Sequence, residues 1–401
     1  MSKEAVLVSN GPGELYTWVK PVLDELRSRS PDVKVTISLI PCQFATGHES
    51  SIARSFGADG VTTPAEFLSF MATGKRPKAL GRSGGFVLSL GGNAAFAIRL
   101  ARRLGYPAYR YHFIPIWNRH LRLLFVHDVD AERRAQQLGA PRERVRRVGN
   151  LVADVVEASE LVEAPGFPHI LLFPGSRDPF AVALIPLLLS LADALSPHYP
   201  GARFVWPVSE LLTNRTLEEG IAARQKVFPG SVAGQREGTV ITTPSGARVE
   251  MIPESERYRH MRSADLAVTI PGTNTLELGI AGVPTIVLLP MNMNKLEAIP
   301  LEGAGNWLGL IPLIGKPLKR QAVRLFANRL SLPISLPNRI TGEDLMVEVR
   351  EDLSRDQVAA QTAALIDNPV DRARRRARLL ETMPGPGATR QLVSEILVDA
   401  R

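Results

Sequence analysis

Short apolar runs rich in β-branched residues alternate with longer helical stretches along most of this 401-residue chain. The runs that we predict as strands are residues 5–8, 33–40, 86–90, 107–111, 123–127 and 145–149, then 169–173, 202–207, 240–243, 248–252, 266–270 and 285–289. Parallel strands need a crossover connection, usually a helix, between one strand and the next. The alternation therefore predicts α/β domains with parallel sheets.

The alternation is interrupted once and then restarts. Residues 157–169 (EASELVEAPGFPH) contain two prolines and a glycine without a hydrophobic period, so we place a linker there. We expect an N-terminal Rossmann-like domain over 1–160, a second one over 165–365, and C-terminal helices over 366–401 that can pack back on the first domain. Ligands of such sheets bind beyond the carboxyl ends of the strands, so we expect both sheets to face a central cleft.

The composition limits the class of partner and the compartment. The net charge of +8 favours an anionic partner, either phosphates, an acidic membrane surface or nucleic acid. We expect no nucleic acid, because zinc-finger spacing, RNA-binding aromatic motifs and helix-turn-helix patterns are missing. Cys42 is the single cysteine, and the start MSKEAVLVSN lacks the apolar core of a signal peptide. Both features favour a cytoplasmic protein.

One segment raises the alternative of a peripheral location on the inner face of the cell membrane. Residues 316–330 (KPLKRQAVRLFANRL) would form a basic amphipathic helix, of the kind that rests on an anionic bilayer. Packing of its apolar face against the protein's own core explains the pattern equally well. Residues 67–78 (FLSFMATGKRPK) are a weaker candidate of the same kind.

A proline-glycine turn follows the predicted strand 169–173. After this strand, Gly175, Ser176 and Arg177 bring a hydroxyl, a guanidinium and backbone N–H groups to the start of a helix. A helix start favours negative charge, and an arginine can pair bidentately with phosphate oxygens. The turn therefore suits a diphosphate. An ordinary strand–helix turn capped by Ser176 is the alternative.

A second turn of this type, PGTNTLE, follows the predicted strand 266–270. Gly272 permits close approach of a ligand to the backbone, and Thr273, Asn274 and Thr275 place polar groups near a helix start. Glu277 lies in the first turn, where its carboxylate can accept hydrogen bonds from two ribose hydroxyls. A capping-box role is the alternative for Glu277.

The first strand ends in a third glycine turn, NGPGE. Asn10, Gly11 and Gly13 are candidates to hold an acceptor, and Glu14 is a candidate general base. The turn lacks the G-x-G-x-x-G spacing of a nicotinamide dinucleotide site, which disfavours a dehydrogenase. A flexible turn before a helix is the alternative.

The remaining candidates are an asparagine and a histidine. Asn93, in the GGN turn after residues 86–90, can exchange hydrogen bonds but cannot remove a proton at neutral pH; a helix cap is its alternative role. His48 is a second candidate base, although it can equally be structural. The histidines show no metal-ligand spacing, so we expect neither a metal nor a cofactor.

Together these turns resemble the lipid A disaccharide synthase family of GT-B glycosyltransferases. The segments that carry the resemblance are LLFPGSR (171–177), ADLAVTIPGTNTLELGIAGVPTIVL (264–288), RRVGNLVADVV (146–156) and ISLPNRITGE (334–343). The resemblance implies a GT-B fold of two Rossmann-like domains. It also implies inverting transfer of a sugar from a UDP-sugar to a lipid-linked or sugar-phosphate acceptor.

The resemblance also assigns the donor site. It implies that Arg177, Gly272, Thr273 and Glu277 hold the nucleotide and its diphosphate, with no metal required. Ile252 would lie near the base, and Pro337 and Asn338 would border the donor site.

The first half departs from the family pattern. Its opening loop is NGPGELYTW, and SLGGNAAFAIRLARRLG replaces an acidic segment, with only Asn93 retained of the polar residues. We therefore expect an acceptor other than that of lipid A synthesis. A UDP-sugar 2-epimerase and a non-catalytic sugar-nucleotide-binding protein are the alternative functions.

Overall fold

The computed structural model describes residues 4–41, 47–82, 84–163, 166–293 and 333–399, which form two compact units. The first unit contains Met1–Ala158 and Pro384–Arg401, and the second contains Ser159–Met383. The basic segment 316–330 lies outside the described residues.

The first unit is built on a parallel sheet of seven strands, in the order β3-β2-β1-β4-β5-β6-β7. The strands are β1 (Glu4–Ser9), β2 (Lys34–Leu39), β3 (Gly60–Thr62), β4 (Gly85–Leu90), β5 (Ala108–Tyr111), β6 (Leu121–Val126) and β7 (Val145–Arg147). The strand order reverses between β1 and β4, which are paired neighbours. The NGPGE and GGN turns, which follow these two strands, therefore lie at the switch point of the sheet, where ligands of this fold bind.

Helices of this unit follow the strands. They are α1 (Pro12–Glu14), continued by a π-helix (Leu15–Val19) into α2 (Lys20–Arg29), and α3 (Glu49–Ser55), α4 (Pro64–Thr73), α5 (Ala94–Leu104), α6 (Val129–Gln137) and α7 (Leu151–Glu157). Helix α4 begins with a capping box between Thr63 and Glu66. Its Phe67 and Phe70 are buried in the core. The two phenylalanines of segment 67–78 thus pack against the protein itself, whereas Leu68 is exposed.

A buried carboxylate connects several elements at the amino end of the first sheet. Glu4 on β1 is fully buried and accepts hydrogen bonds from Thr36 Oγ1 (3.0 Å), Gly81 N (2.8 Å) and Tyr106 OH (3.2 Å). Because each donor comes from a different segment, this carboxylate holds together the chain around β1, β2 and the approach to β5.

The second unit has an eight-stranded sheet in the order β10-β11-β12-β9-β8-β13-β14-β15. The strands are β8 (His169–Leu172), β9 (Arg203–Val208), β10 (Gln235–Glu237), β11 (Val240–Thr242), β12 (Arg248–Pro253), β13 (Leu266–Thr269), β14 (Thr285–Leu288) and β15 (Val347–Val349). Strands β10 to β12 are antiparallel neighbours and the other pairs are parallel. The switch point lies between β8 and β13, the two strands that lead into PGSR and PGTN.

The helices in the described part of this unit are α8 (Asp178–Leu195), α9 (Asn214–Ile221), α10 (Arg257–Ser263), α11 (Thr273–Ile280), α12 (Leu336–Thr341), α13 (Arg355–Ile366) and α14 (Pro369–Thr382). By length and composition α8 could cross a membrane, but 78% of it is buried inside the unit. Its leucines pack into the main hydrophobic core with Phe204 and Trp206 of β9. It is therefore a core helix.

The last helix, α15 (Ala388–Asp399), belongs to the first unit, whereas α14 belongs to the second. Helix α15 packs on α2 and α7. Its contacts include Asp399 with Tyr109 OH (2.7 Å) and the Thr389 N–H with the Asp154 carboxylate (2.6 Å).

Candidate functional site

The described part of the second unit contains an open pocket at the switch point of its sheet. Both proline-glycine turns and the segment around α12 form its wall. The lining residues are Gly175, Ser176, Arg177, Phe180, Ile270, Pro271, Gly272, Thr273, Asn274, Ile334, Leu336 and Arg339. The structure therefore brings together two turns that lie almost one hundred residues apart in the sequence.

The PGSR turn combines a constrained glycine with a helix start. Gly175 has φ 98°, and a Cβ atom there would lie 2.8 Å from Ile270 Cδ1. Arg177 occupies the N-cap position of α8 with no side-chain capping hydrogen bond, so the proposed capping by Ser176 is wrong. Ser176 is exposed and Arg177 is partly exposed at the pocket. A helix start of this kind, flanked by a guanidinium, attracts phosphate.

The PGTN turn presents its first residues to the same pocket. Gly272 has φ 155° and ψ −171°, a conformation that is essentially restricted to glycine. No atom lies within 4 Å of the position that a Cβ would take, so the backbone faces open space. Thr273 and Asn274 line the pocket beside it.

Thr275 does not line the pocket. It is fully buried, and its hydroxyl donates to the Gly272 carbonyl (2.8 Å) and accepts from the Leu336 N–H (3.1 Å). The hydroxyl was predicted to contact the sugar-nucleotide ligand. It has a structural role instead. Thr275 fixes the shape of the turn and attaches α12 to it.

Glu277 is also buried, with 1% of its surface exposed, and it belongs to an ionic cluster. Its Oε1 lies 3.0 Å from Arg257 Nη2 and 3.5 Å from Tyr258 OH, and Arg257 also pairs with Glu254 (2.5 Å). Burial raises the pKa of Glu277, and the charge of Arg257 opposes this rise. Within the described residues Glu277 Oε2 has no hydrogen-bond partner. Arg257 and Tyr258 thus hold one carboxylate oxygen of Glu277, and the other oxygen can accept a hydrogen bond from a further group.

Three predicted donor-site residues lie behind the wall of the pocket rather than in it. Ile252 is buried at the end of β12, just before the cluster that contains Arg257. Pro337 is buried, and Asn338 is occupied by the backbone, donating to the Met346 carbonyl (2.9 Å) and accepting from the Leu345 N–H (2.9 Å). Asn338 therefore fixes the connection from α12 to β15.

Their neighbours Ile334, Leu336 and Arg339 line the pocket instead, and sequence reasoning missed them. Leu336 and Arg339 are three residues apart on α12 and so share a helix face, whereas Pro337 and Asn338 point elsewhere. The three-residue spacing of Leu336 and Arg339 was the sequence signal that could have identified them as neighbours on one helix face. Phe180 and Ile270, also missed, are apolar residues beside the PGSR and PGTN turns, and they carry no chemical signature.

The switch point of the first unit brings together the NGPGE and GGN turns. A Cβ at Gly11 would lie 1.8 Å from Glu14 Oε2, and one at Gly91 would lie 3.1 Å from Glu14 Cγ. A Cβ at Gly92 would lie 2.8 Å from Asn10 Oδ1. Glycine is therefore required for the two turns to pack this closely around the half-buried Glu14 side chain.

The other candidates of the first unit have mainly structural positions. Asn93 caps α5, accepting a hydrogen bond from the Ala95 N–H (2.9 Å). Gly13 is exposed, and His48 is exposed at the N-cap of α3. Among the described residues, no group of three or more His, Cys, Asp or Glu side chains is arranged to hold a metal ion.

Two solved structures with similar architecture share the fold. A UDP-N-acetylglucosamine 2-epimerase superposes with a TM-score of 0.56 at 12% identity, over 100% of this chain and 96% of the other. MurG of Acinetobacter baumannii gives 0.50 at 13% identity, over 99% of both chains. With two Rossmann-type sheets, the chain is an α/β protein of the GT-B fold, as predicted.

Sequence comparisons support the resemblance found in the sequence. A family model described as Lipid-A-disaccharide synthetase matches residues 156–297. The lipid-A-disaccharide synthase of Geobacter metallireducens is 25% identical over 231 residues, 57% of this chain and 48% of that protein. That of Geobacter sulfurreducens is 25% identical over 238 residues, 59% of this chain and 50% of that protein. The chain thus spans about half the length of the curated relatives it matches, and the predicted resemblance to the lipid A disaccharide synthase family is confirmed.

Proposed function

We propose that the protein is an inverting glycosyltransferase that moves a sugar from a UDP-sugar to a lipid-linked or sugar-phosphate acceptor. The observation that carries this proposal is the pocket between the PGSR and PGTN turns at the switch point of the second sheet. Arg177 lies there at the N-cap of α8. Two helix starts and a guanidinium that converge on one pocket suit the diphosphate of a nucleotide sugar. The family relationship over residues 156–297 supports the same class of donor.

In this proposal the diphosphate binds between Gly272 and Arg177. The bare backbone of Gly272 lets the diphosphate approach α11, and Ser176, Thr273 and Asn274 offer hydrogen bonds to it. Glu277, whose Oε2 has no partner among the described residues, accepts the ribose hydroxyls once the nucleotide reaches it. A solved structure entitled "S. aureus MnaA-UDP co-structure" has a similar fold, with a TM-score of 0.57 at 11% identity over 100% of this chain and 98% of the other.

Inversion requires a single displacement at the anomeric carbon of the donor sugar. The acceptor hydroxyl loses its proton to a general base as it attacks, and the bond to the UDP oxygen breaks. Glu14 is the candidate base, because its half-buried carboxylate lies at the switch point of the first sheet. Charge that develops on UDP is stabilised by Arg177 and the helix starts, so we propose that no metal is needed.

The acceptor and the location belong to the same proposal. We propose an acceptor other than that of lipid A synthesis, because the NGPGE and GGN turns depart from the family pattern. A cytoplasmic location, with peripheral attachment to an anionic membrane, fits the net charge of +8. Pelleting with anionic liposomes at low salt and release at high salt would support the attachment, whereas failure to pellet would exclude it.

The donor site is tested with Arg177→Ala. We expect UDP affinity to fall at least tenfold, about 1.4 kcal/mol, because a charged bidentate contact is lost. Arg215→Ala is the matched control: this arginine lies in the same unit, is mostly exposed and pairs only with Glu219 in the ion pairs of the described residues. Equal UDP affinity of both variants would exclude the diphosphate role of Arg177.

A second measurement separates the proposed transferase from the alternatives. The wild-type protein is incubated with UDP-sugars and a panel of lipid and sugar acceptors, and released UDP is measured. UDP release that depends on an acceptor supports the transferase. Conversion of the UDP-sugar without any acceptor would indicate an epimerase, and tight UDP binding without turnover would indicate a binding protein.

A further inference from the structure

A buried arginine lies beside the switch point of the first sheet. Arg110 on β5 has only 3% of its surface exposed. Its Nη1 and Nη2 donate to the Gly92 carbonyl (3.2 Å each), and Nη1 also reaches Ser89 Oγ (3.3 Å). Its Nε finds no hydrogen-bond partner among the described residues. The guanidinium is therefore attached to the GGN turn, which leads directly into α5.

This cation has no counter-charge in the described part of the chain. Arg110 forms no ion pair there, and burial alone lowers its pKa to about 10. By contrast, the buried Arg257 of the second unit contacts two carboxylates, Glu254 and Glu277. A buried charge without a counter-charge destabilises a fold, and this cost favours a functional role for Arg110.

The surroundings of Arg110 suit an anion. Helix α5 runs for eleven residues from the GGN turn, and its start places a partial positive charge beside Arg110, although Asn93 already binds the Ala95 N–H. Asn10 Oδ1, which lies close to Gly92, is buried and lacks a partner among the described residues, so it can accept a hydroxyl hydrogen bond. The site thus combines a fixed cation with a hydrogen-bond acceptor. These two groups complement the phosphate and a hydroxyl of a sugar phosphate.

We propose that this edge of the first sheet binds a phosphate group of the acceptor, with Arg110 as the fixed positive charge and the partial positive charge at the start of α5 beside it. The inference rests on the proposed function, because it places the acceptor in the first unit. It assigns to Arg110 the recognition of the acceptor's phosphate, a role separate from donor binding at Arg177.

The experiment measures phosphate binding by calorimetry in saturating UDP, so that the donor site is occupied. The variants are Arg110→Met, which keeps the volume without the charge, and Arg110→Lys, which keeps the charge. Arg99→Met is the control, because Arg99 is an exposed residue of α5. We expect inorganic phosphate and glucose 1-phosphate to bind wild type and Arg99→Met, to bind Arg110→Lys more weakly, and to bind Arg110→Met at least tenfold more weakly than wild type. Glucose should not bind.

Thermal unfolding in phosphate-free buffer distinguishes this role from a structural one. Arg110→Met should be at least as stable as wild type, since an uncompensated cation has been removed. In saturating UDP, phosphate should raise the Tm of wild type and of Arg99→Met but not that of Arg110→Met. Equal phosphate affinity in Arg110→Met, or no phosphate binding to wild type, would overturn the inference. Repetition on Arg177→Ala without UDP separates the two sites: phosphate binding that persists there supports a phosphate site independent of the donor site. A wild-type protein that binds phosphate but does not bind UDP would refute only the donor proposal.

Discussion

Substitution of Gly175 by alanine tests whether the two turns of the pocket are coupled. Gly175 has φ 98°, and its new Cβ would lie 2.8 Å from Ile270 Cδ1. Two effects are therefore combined: backbone strain at Gly175 and displacement of Ile270. Because Cδ1 is the end of a flexible side chain, Ile270 can turn away, and it lines the pocket into which it would move.

The two effects have different sizes and different readouts. A left-handed backbone costs an alanine about 1–2 kcal/mol, so the free energy of unfolding should fall by that amount. Displacement of Ile270 should weaken UDP binding by about tenfold, about 1.4 kcal/mol. In the double variant Gly175→Ala/Ile270→Val the Cδ1 atom is absent. This variant should recover most of the UDP affinity but not the stability.

The assay pairs urea unfolding with UDP calorimetry for each variant. Gly246→Ala is the control, because Gly246 has φ 86° in the same unit and a Cβ there would meet no atom within 4 Å. It should lose the same 1–2 kcal/mol of stability and keep full UDP affinity. If Gly175→Ala binds UDP as wild type does, or if Ile270→Val fails to restore affinity, the coupling of the two turns is refuted.

Three other variants test the base, the buried carboxylate and the histidines. Glu14→Gln should lower turnover by about 10²-fold or more while UDP affinity stays constant; equal turnover would move the base elsewhere, with His48 next. Glu4→Gln should reduce the free energy of unfolding by about 1–3 kcal/mol, because a buried carboxylate with three donors is replaced; an unchanged urea midpoint would contradict this. Burial, with His169 and Arg203 nearby, lowers the pKa of His260 from 6.5 to about 4. The unfolded chain therefore binds a proton below pH 6.5 that the folded chain does not, and stability should fall between pH 6.5 and 4, by up to about 1.4 kcal/mol per pH unit. His260→Phe should flatten that slope in urea titrations, and an unchanged slope would refute the assignment.

The sequence predicted most of the fold because apolar strands and glycine turns are local signals. Twelve predicted strands correspond to strands in the structure, among them 5–8, 169–173 and 266–270. The three-residue strands β3, β10 and β15 were missed, although β7 and β11 of the same length were predicted; β10 (QRE) is polar and exposed. Strands this short are formed by pairing with a neighbour, which the local sequence does not show.

For the site, the sequence could predict the turns but not every side-chain direction. Gly175 and Gly272 were recognisable because they follow apolar strands. Thr275 was placed in the pocket by its type and position, whereas its hydroxyl bonds the Gly272 carbonyl and the Leu336 N–H. The partner Leu336 is 61 residues away, so no local pattern could reveal this contact. The same reasoning applies to Glu277, because Arg257, which forms an ion pair with it, belongs to α10.

Helix α15 makes the folding of the first unit depend on a segment that is synthesised after the second unit. Its Leu392, Val393 and Ile396 are buried in a unit whose other elements end at residue 158. During translation the segments that form α2 and α7 leave the ribosome well before their partner, with the entire second unit made in between. We therefore expect the second unit to fold first. A fragment that stops at residue 383 should keep the pocket between the PGSR and PGTN turns intact, while its first unit has an uncovered apolar face.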